Sequence, residues 1–376
     1  MISRVNKVLI VGGGIGGLSL AIGLRARGMA VDVVEIKSAW TVYGVGIIQQ
    51  ANVVRAMAQL GIVDRYLSAA FPFSFVGIYN PSGELIAKLP GDRLAGQQYP
   101  PLLGISRLSL HLVLTSLTLE RGTRVRLGLT VERLEQSSSD VKVWFTDGTV
   151  DRYDLVVGAD GLYSKIRAMV FPNAPTPRFT GQSVWRHNFK RRPEIDHLAA
   201  YNGRHASAGL VPLSEDLMYM YVTSIERGNP WMEPTQLHDL MKQRMKGFGG
   251  LIGELKSEIN DPEKVVYKPM EVVLVHPPWY AGRVVLIGDA AHATTPHLGQ
   301  GAGMAIEDAV VLSEELGGDG SVEERLDRYM KRRYERCKFI VESSELIGKY
   351  QMDEGAVPID EKSMVEQMQR VTAQPI

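Results

Sequence analysis

The chain has one cysteine in 376 residues, Cys337, so it can form no internal disulfide. Such usage fits a reducing compartment, and the expected location is the cytoplasm. It has no surplus of charge: 42 basic residues face 42 acidic ones. A neutral balance gives no reason to expect a nucleic-acid partner or an anionic membrane. No apolar run is long enough to span a bilayer. The first, "VLIVGGGIGGLSLAIGL" at 8–24, is cut by glycines and lacks the basic lead and cleavage site of a signal peptide. The chain also lacks G-x-S-x-G, H-E-x-x-H and any Cys/His metal spacing, so no serine nucleophile of that type and no metal is expected. No internal repeat is visible. The length allows about two domains at about 100–200 residues each.

What is present begins at the front. "KVLIV" is a β-branched apolar run, as expected of a strand buried on both faces. Gly12, Gly14 and Gly17 follow with the G-x-G-x-x-G spacing, Gly16 lying among them. "LSLAIGLRARG" has helical periodicity and stops at Gly28; "AVDVVEI" is a second strand that carries Glu35. In this β-α-β unit Gly12 permits the tight turn, Gly14 lets a pyrophosphate approach, and Gly17 lets helix pack on strand. The helix N-terminus offers free N–H groups, and Glu35 can accept from a ribose hydroxyl. The fingerprint alone does not choose between NAD and FAD.

Further along, 41–70 reads as a glycine-rich loop and two helices, and 73–90 as a β-hairpin around "NPSG". Residues 105–122 read as a helix, followed by a strand meander ending in the buried "DLVVGAD". From 181 to 275 the segments "SVWRHNF", "HASAGLVPL" and "LMYMYVTS" suggest a mainly antiparallel sheet. "GRVVLIGDAAHATTPHLGQGAGMAIEDA" then returns to a buried strand, a glycine-rich loop and a helix. The expected division is a discontinuous dinucleotide domain (1–72, 102–180, 276–318), a substrate domain (73–101, 181–275), a long helix (319–352) and a tail (353–376) without readable pattern. The expected fold is α/β: a Rossmann-like domain beside a mainly antiparallel sheet.

Three motifs stand in order: "GGGIGG" with Glu35, "GADGLYSKIR" at 158–167, and "GDAAHATTPHLGQGAGMAIEDA" at 288–309. The set resembles the FAD-dependent aromatic hydroxylases of the para-hydroxybenzoate hydroxylase type. Within them it is most similar to the branch with salicylate hydroxylase, hydroxynicotinate monooxygenase and FAD-dependent urate hydroxylase. The resemblance covers about residues 5–345. It implies FAD as cofactor, NADH or NADPH and O2 as co-substrates, and no metal. The implied activity is hydroxylation, through a flavin C4a-hydroperoxide, of a small aromatic or N-heteroaromatic of phenol, hydroxybenzoate or hydroxypyridine type. A monomer or homodimer is expected. Two other readings stand beside it: a related flavin monooxygenase with an epoxidation or oxidative decarboxylation outcome, and a FAD-binding protein without catalysis. Substrate-stimulated NAD(P)H oxidation separates the last.

The resemblance also distributes roles. Gly12, Gly14, Gly16, Gly17 and Glu35 would hold the ADP half of FAD. Asp289 would accept from a ribityl hydroxyl. Gly299, Gly301 and Ala302 would bring backbone N–H groups and a helix dipole to the flavin ring. An asparagine common in the family is Gly303 here. Gly46, Arg107 of "SRLSLH" and Asp160 of "GADG" complete the cofactor set. Arg167 stays open between a phosphate contact and a solvated arginine. Gln49 and Gln50 would face substrate, with Ile48 where some relatives carry histidine. The catalytic candidates are Pro296, Tyr219, Tyr221, His187 and His205. Tyr219 and Tyr221 alternate on a strand and so share a face. Tyr221 leads, because "MYVTS" resembles a tyrosine-bearing strand of the hydroxynicotinate enzyme. His292 and His297 each admit a structural or a catalytic reading.

Overall fold

The structure is a computed structural model that describes residues 5–41, 44–353 and 361–376. The chain opens with β1 (Lys7–Val11), α1 (Ile15–Ala26) and β2 (Ala30–Glu35). It continues through β3 (Gly46–Gln49), α2 (Ala51–Gln59), α3 (Val63–Leu67), β4 (Phe71–Phe73), β5 (Phe75–Tyr79) and β6 (Leu85–Pro90). Next come β7 (Leu102–Ser106), α4 (Arg107–Glu120), β8 (Arg124–Leu127), β9 (Val131–Gln136), β10 (Val141–Phe145), β11 (Val150–Tyr153), β12 (Leu155–Gly158) and α5 (Lys165–Val170). The middle holds β13 (Arg178–Lys190), β14 (Leu198–Asn202), β15 (Ser207–Pro212), β16 (Leu217–Ile225), α6 (Leu237–Arg244), α7 (Gly250–Leu255) and β17 (Val266–Val272). The chain closes with β18 (Tyr280–Ala281), β19 (Val284–Leu286), α8 (Asp289–His292), α9 (Gly301–Gly317), α10 (Val322–Gln351) and α11 (Glu361–Ala373).

The first sheet runs β18-β19-β12-β1-β2-β8, all parallel except the edge strand β18. Its central strands are apolar because both faces are covered: Val8, Leu9 and Ile10 are fully buried, as are Leu155, Val156 and Val157. α1 packs against both α4 and α9. α10 starts with a capping box in which Ser321 Oγ accepts from Glu324 N and Glu324 reaches back to Ser321 N. Among the described residues no helix is long and apolar enough to cross a membrane.

The second sheet runs β17-β13-β16-β15-β14-β5-β6 and is antiparallel except where β14 pairs with β5. Its two faces are occupied differently. Trp185, Phe189, Met218, Met220 and Val222 belong to a core shared with Met241, Ile252 and Leu255 of α6 and α7. Tyr219 and Val211 point the other way and pack with Phe73 and Leu102 of the small sheet β3-β7-β4. That contact joins the two halves of the molecule.

The tail, which carries no pattern in sequence, contains α11. Its C-terminal carbonyls are held by arginines distant in sequence. Arg55 donates to Thr372, Ala373 and Gln374, and Arg336 to Thr372, Gln374 and Pro375. Cations at a helix C-terminus also suit its dipole.

Candidate active site

At the end of β1 the chain makes the turn that the glycines predict. Gly12 has φ +112, and a Cβ there would overlap the Ala159 carbonyl. A Cβ on Gly17 would overlap the Gly12 carbonyl, so its smallness seats α1 on β1. A Cβ on Gly16 would lie 3.3 Å from the Ala305 side chain, which also faces Gly288. The start of α1, the end of β19 and α9 therefore meet at one place. Gly14 differs: a Cβ there would have nothing within 4 Å. No protein contact explains this glycine, and the space beside it lies at the uncapped N-terminus of α1. That is the cradle a pyrophosphate fits. Glu35 stands next to it, its carboxylate accepting from Gly13 N at 2.9 Å and Lys37 N at 3.0 Å.

The other end of the groove is built by the β19–α9 connection. Asp289 begins α8 with its carboxylate exposed and without a hydrogen-bond partner among the described residues. Crowding by protein desolvates that carboxyl and raises its pKa, while the His292 and Arg107 cations act to lower it. Pro296 is exposed at the rim, and Gly299 takes a left-handed conformation at φ +65. Gly301 and Ala302 are the first residues of the 17-residue α9, whose N-cap Gln300 makes no side-chain cap bond. An acid for a hydroxyl and a helix N-terminus for a developing negative charge stand together here. Replacing Asp289 by alanine is expected to weaken FAD binding by about 10–150-fold, the worth of a charged hydrogen bond of about 1.5–3 kcal/mol. Equilibrium dialysis of the flavin measures it, and an unchanged dissociation constant refutes the placement.

The loop is braced from below. Gln50 Nε2 donates to the Leu298 carbonyl at 2.8 Å, and its Oε1 accepts from Gln300 Nε2 at 2.7 Å. Asn52 joins Gln300 to Glu307. Gln50 is thus engaged with the cofactor loop rather than free to face substrate. Gln49 is turned fully into the core, where Tyr66 donates to its Oε1 at 3.1 Å. The alternation of the four-residue β3 puts Ile48, not Gln49, with the tyrosine cluster.

The tyrosine face holds the residues that could meet a substrate. Tyr219 lies against Gly46, where any Cβ would overlap its ring, so Gly46 serves the tyrosine's close approach. Tyr221 lies across Gly209 in the same way, and the two rings are 6.3 Å apart. Burial raises both phenols, Tyr219 to about 12, with Arg186 and Arg107 opposing it there. Neither hydroxyl has a protein partner among the described residues.

Arg186 is the residue that motif reading misses. In the β13–β16 register Arg186 stands opposite Tyr221 and Asn188 opposite Tyr219. Its guanidinium has no carboxylate or hydrogen-bond partner among the described residues. Desolvation and the like charge of Arg107 push it down to about 10. Arg107, at the start of α4 behind the Ser106 cap, is likewise without a side-chain partner. The available signal was parity. In "SVWRHNF" Trp185 and Phe189 mark the core face, so Arg186 had to lie on the other.

The same parity corrects His187. It pairs with Met220 and shares the helix-covered face with Trp185 and Phe189, so a whole sheet separates it from the tyrosines. His205 is also corrected: it sits in the exposed β14–β15 turn, bonded to the Gln351 carbonyl at 3.1 Å. Asp160 is engaged at the start of α5. Its carboxylate accepts from Ser164 Oγ, Lys165 N and Ile166 N at the start of α5. Arg167 is spent on the carbonyls of Ala290 and Leu162. His292 is structural, its Nε2 meeting Asp308 at 2.6 Å in a fully buried network. His297 is bonded through Nδ1 to Thr295 Oγ1, and burial lowers its pKa to about 4.

A parallel sheet whose glycine turn opens onto a helix N-terminus, with an unpartnered acid and a second helix N-terminus beyond it, defines a protein for an extended flavin dinucleotide. Comparison with known proteins agrees. Aurachin C monooxygenase/isomerase of Stigmatella aurantiaca is 33% identical over 345 residues, 91% of this chain and 88% of that protein. The 2-heptyl-3-hydroxy-4(1H)-quinolone synthase of Pseudomonas aeruginosa is 33% identical over 349 residues, with the same coverage of each. Klebsiella pneumoniae HpxO, in its complex with FAD and uric acid, superposes with a TM-score of 0.86 at 25% identity, over 98% of this chain and 97% of that one. The chain belongs to the FAD binding domain family, matched over residues 6–344, and is an FAD-dependent monooxygenase of the aromatic hydroxylase group.

Proposed function

We propose that the chain hydroxylates a small planar aromatic or N-heteroaromatic that carries an anionic or acidic ring substituent, using NAD(P)H and O2. One observation carries the reading: Arg186, a desolvated cation without counter-ion, shares a sheet face with two tyrosines that also lack partners. A buried unpaired charge is costly, so a site that keeps one is built for an opposite charge that arrives with a ligand. A phenolate or ring carboxylate supplies it. The names of the relatives point the same way, to quinolone and purine rings.

FAD, when bound, supplies the activation of O2 and the transfer of one oxygen atom to an electron-rich ring carbon. Gly14, Glu35, Asp289 and the start of α9 would hold it. Arg186 and Arg107 would lower the pKa of a ring hydroxyl beside them, making the ring electron-rich without a general base. Tyr219 and Tyr221 stay protonated at neutral pH, so they orient the ring as donors. Ile48 and Phe71 pack around the tyrosines and keep water out. Among the described residues only the 12–17 turn carries the dinucleotide fingerprint in a β-α-β unit, so the nicotinamide visits without a domain of its own.

The test is a panel of hydroxybenzoates, hydroxypyridines and purines, scored by product heavier by one oxygen and by peroxide. At least one should accelerate NAD(P)H oxidation and give product. In Arg186→Gln the kcat/KM for that substrate should fall about 10–150-fold, for a charged hydrogen bond of about 1.5–3 kcal/mol, with FAD content unchanged. Equal kcat/KM in parent and variant removes Arg186 from the site. No oxygenated product from any ring places the substrate outside these three classes.

A further inference from the structure

A cleft at the end of the substrate sheet, which His187 enters from the face opposite the tyrosines, has no part in the hydroxylation reading. Its volume is about 650 Å³, within the range of about 300–1,000 Å³ typical of small-molecule sites. It lies between the last residues of β13 and the loop at 258–264, with Val45 and Leu217 closing one end. His187 lines it. That side chain is 5% exposed, and neither ring nitrogen has a hydrogen-bond partner. Asn188 also lines the cleft, but its side chain lies on the tyrosine side of β13, where its amide donates to the Gly44 carbonyl. Native proteins satisfy buried polar atoms, so two unpartnered nitrogens on one buried ring at a cleft point to a ligand that bonds them.

The strand itself is unfinished there. Pairing of β17 with β13 stops at Val266 opposite Arg186, so His187 to Lys190 have a neighbouring strand on the β16 side only. The open side presents backbone N–H and C=O groups to the cleft. The charges of the facing loop cancel: Lys264 pairs with Asp261 at 3.3 Å and Arg192 with Glu258. Lys190 and Glu263 add one charge of each sign at the lining. The cleft therefore favours a neutral guest. Burial lowers the pKa of His187, so the imidazole is neutral and offers one donor and one acceptor. Phe189 adds an aromatic wall, its ring 4.5 Å from that of His187.

We propose that this cleft is a second ligand site, for a small neutral planar ring with an amide or lactam edge. An N–H beside a C=O is the complement of an open strand edge and of a neutral imidazole. Its His187 wall faces away from Tyr219 and Tyr221, although Asn188 and Leu217 at its rim belong to the tyrosine side, so the test must tell the two sites apart.

The experiment uses the FAD-loaded full chain with ¹⁵N-labelled histidine and 2-pyridone as the probe. The His187 ring signals, assigned by their loss in His187→Gln, should shift on titration. They should shift equally in Arg186→Gln, which disables the tyrosine face and leaves the cleft intact. By calorimetry, binding should weaken about tenfold or more in His187→Leu and stay within about threefold of the parent in His187→Gln. N-methyl-2-pyridone, which lacks the N–H, should also bind about tenfold more weakly. Melting temperature and FAD content of both variants report folding. His187 signals that do not move overturn the proposal, and so does a response abolished by Arg186→Gln, which would place the probe on the tyrosine face.

Discussion

Arg333→Leu is expected to destabilise the protein by about 3–5 kcal/mol, the cost of taking the central cation out of a buried ion network. Arg333 lies on α10 and is wholly buried. It donates to Asp308 Oδ1 at 2.8 Å, to Glu307 Oε2 at 2.6 Å and to the Met304 carbonyl at 3.2 Å. His292 holds the other oxygen of Asp308, and Asn52 the other oxygen of Glu307. Leucine preserves much of the volume, so the loss comes from charge. The triple variant Arg333→Leu, Glu307→Gln, Asp308→Asn should recover part of it. Urea denaturation measures both, and a single variant within about 1 kcal/mol of the parent would refute the account. The acid limb has a definite sign. Although burial opposes ionisation, the His292 and Arg333 cations prevail and hold Asp308 down to about 2. Its contribution is complete above the unfolded carboxyl value of about 4 and is lost as pH falls toward 2. In Arg333→Leu the acid midpoint should therefore move to higher pH.

Gly14→Val should fold normally and purify nearly colourless. The backbone at Gly14 has φ −80, open to any residue, and the added Cβ meets no protein atom. Its branches enter the space where the cofactor's phosphates approach the α1 N-terminus. We expect FAD binding weaker by on the order of 100-fold, near the upper end of the usual 1–3 kcal/mol for forced overlap. Gly17→Ala is the contrasting variant: its Cβ would overlap the Gly12 carbonyl, so α1 must shift and the melting temperature should fall even without flavin. Flavin absorbance after gel filtration and thermal melting of the apoprotein separate the two. If Gly14→Val retains FAD at parental affinity, the phosphates lie elsewhere.

These variants also show where the sequence was legible. The β-α-β turn could be read because apolar period, glycine spacing and a terminal acid all act within 30 residues. The shared face of Tyr219 and Tyr221 followed from alternation within one strand. Relations between strands were not legible. His187 and Arg186 are neighbours in sequence, yet they lie on opposite faces; strand parity tells the faces apart, and the register with β16 adds that Arg186 meets Tyr221. β3 has four residues, too few to show that Gln49 turns inward to Tyr66. Asp160 follows a strand, as a cofactor ligand could, but a helix begins five residues later and its first N–H groups bond the carboxylate. α11 is polar over most of its surface. What fixes it is a pair of arginines, Arg55 and Arg336, whose distance in sequence hides the contact.

The strand order has a consequence during synthesis. The glycine turn at 12–17 is made long before its partners in the fold. β1 pairs with β12, β12 pairs with β19, and α1 packs on α9. The strand and helix that complete the groove lie near residues 284–317. At about 5–20 residues per second, translation reaches them about 15–60 seconds after the turn has emerged. Until then the nascent chain shows half a flavin site. Loading of the chain waits for that strand and helix. The free FAD concentration it then meets, through the stabilisation that ligand binding confers, sets how much of the newly made protein survives as holoenzyme.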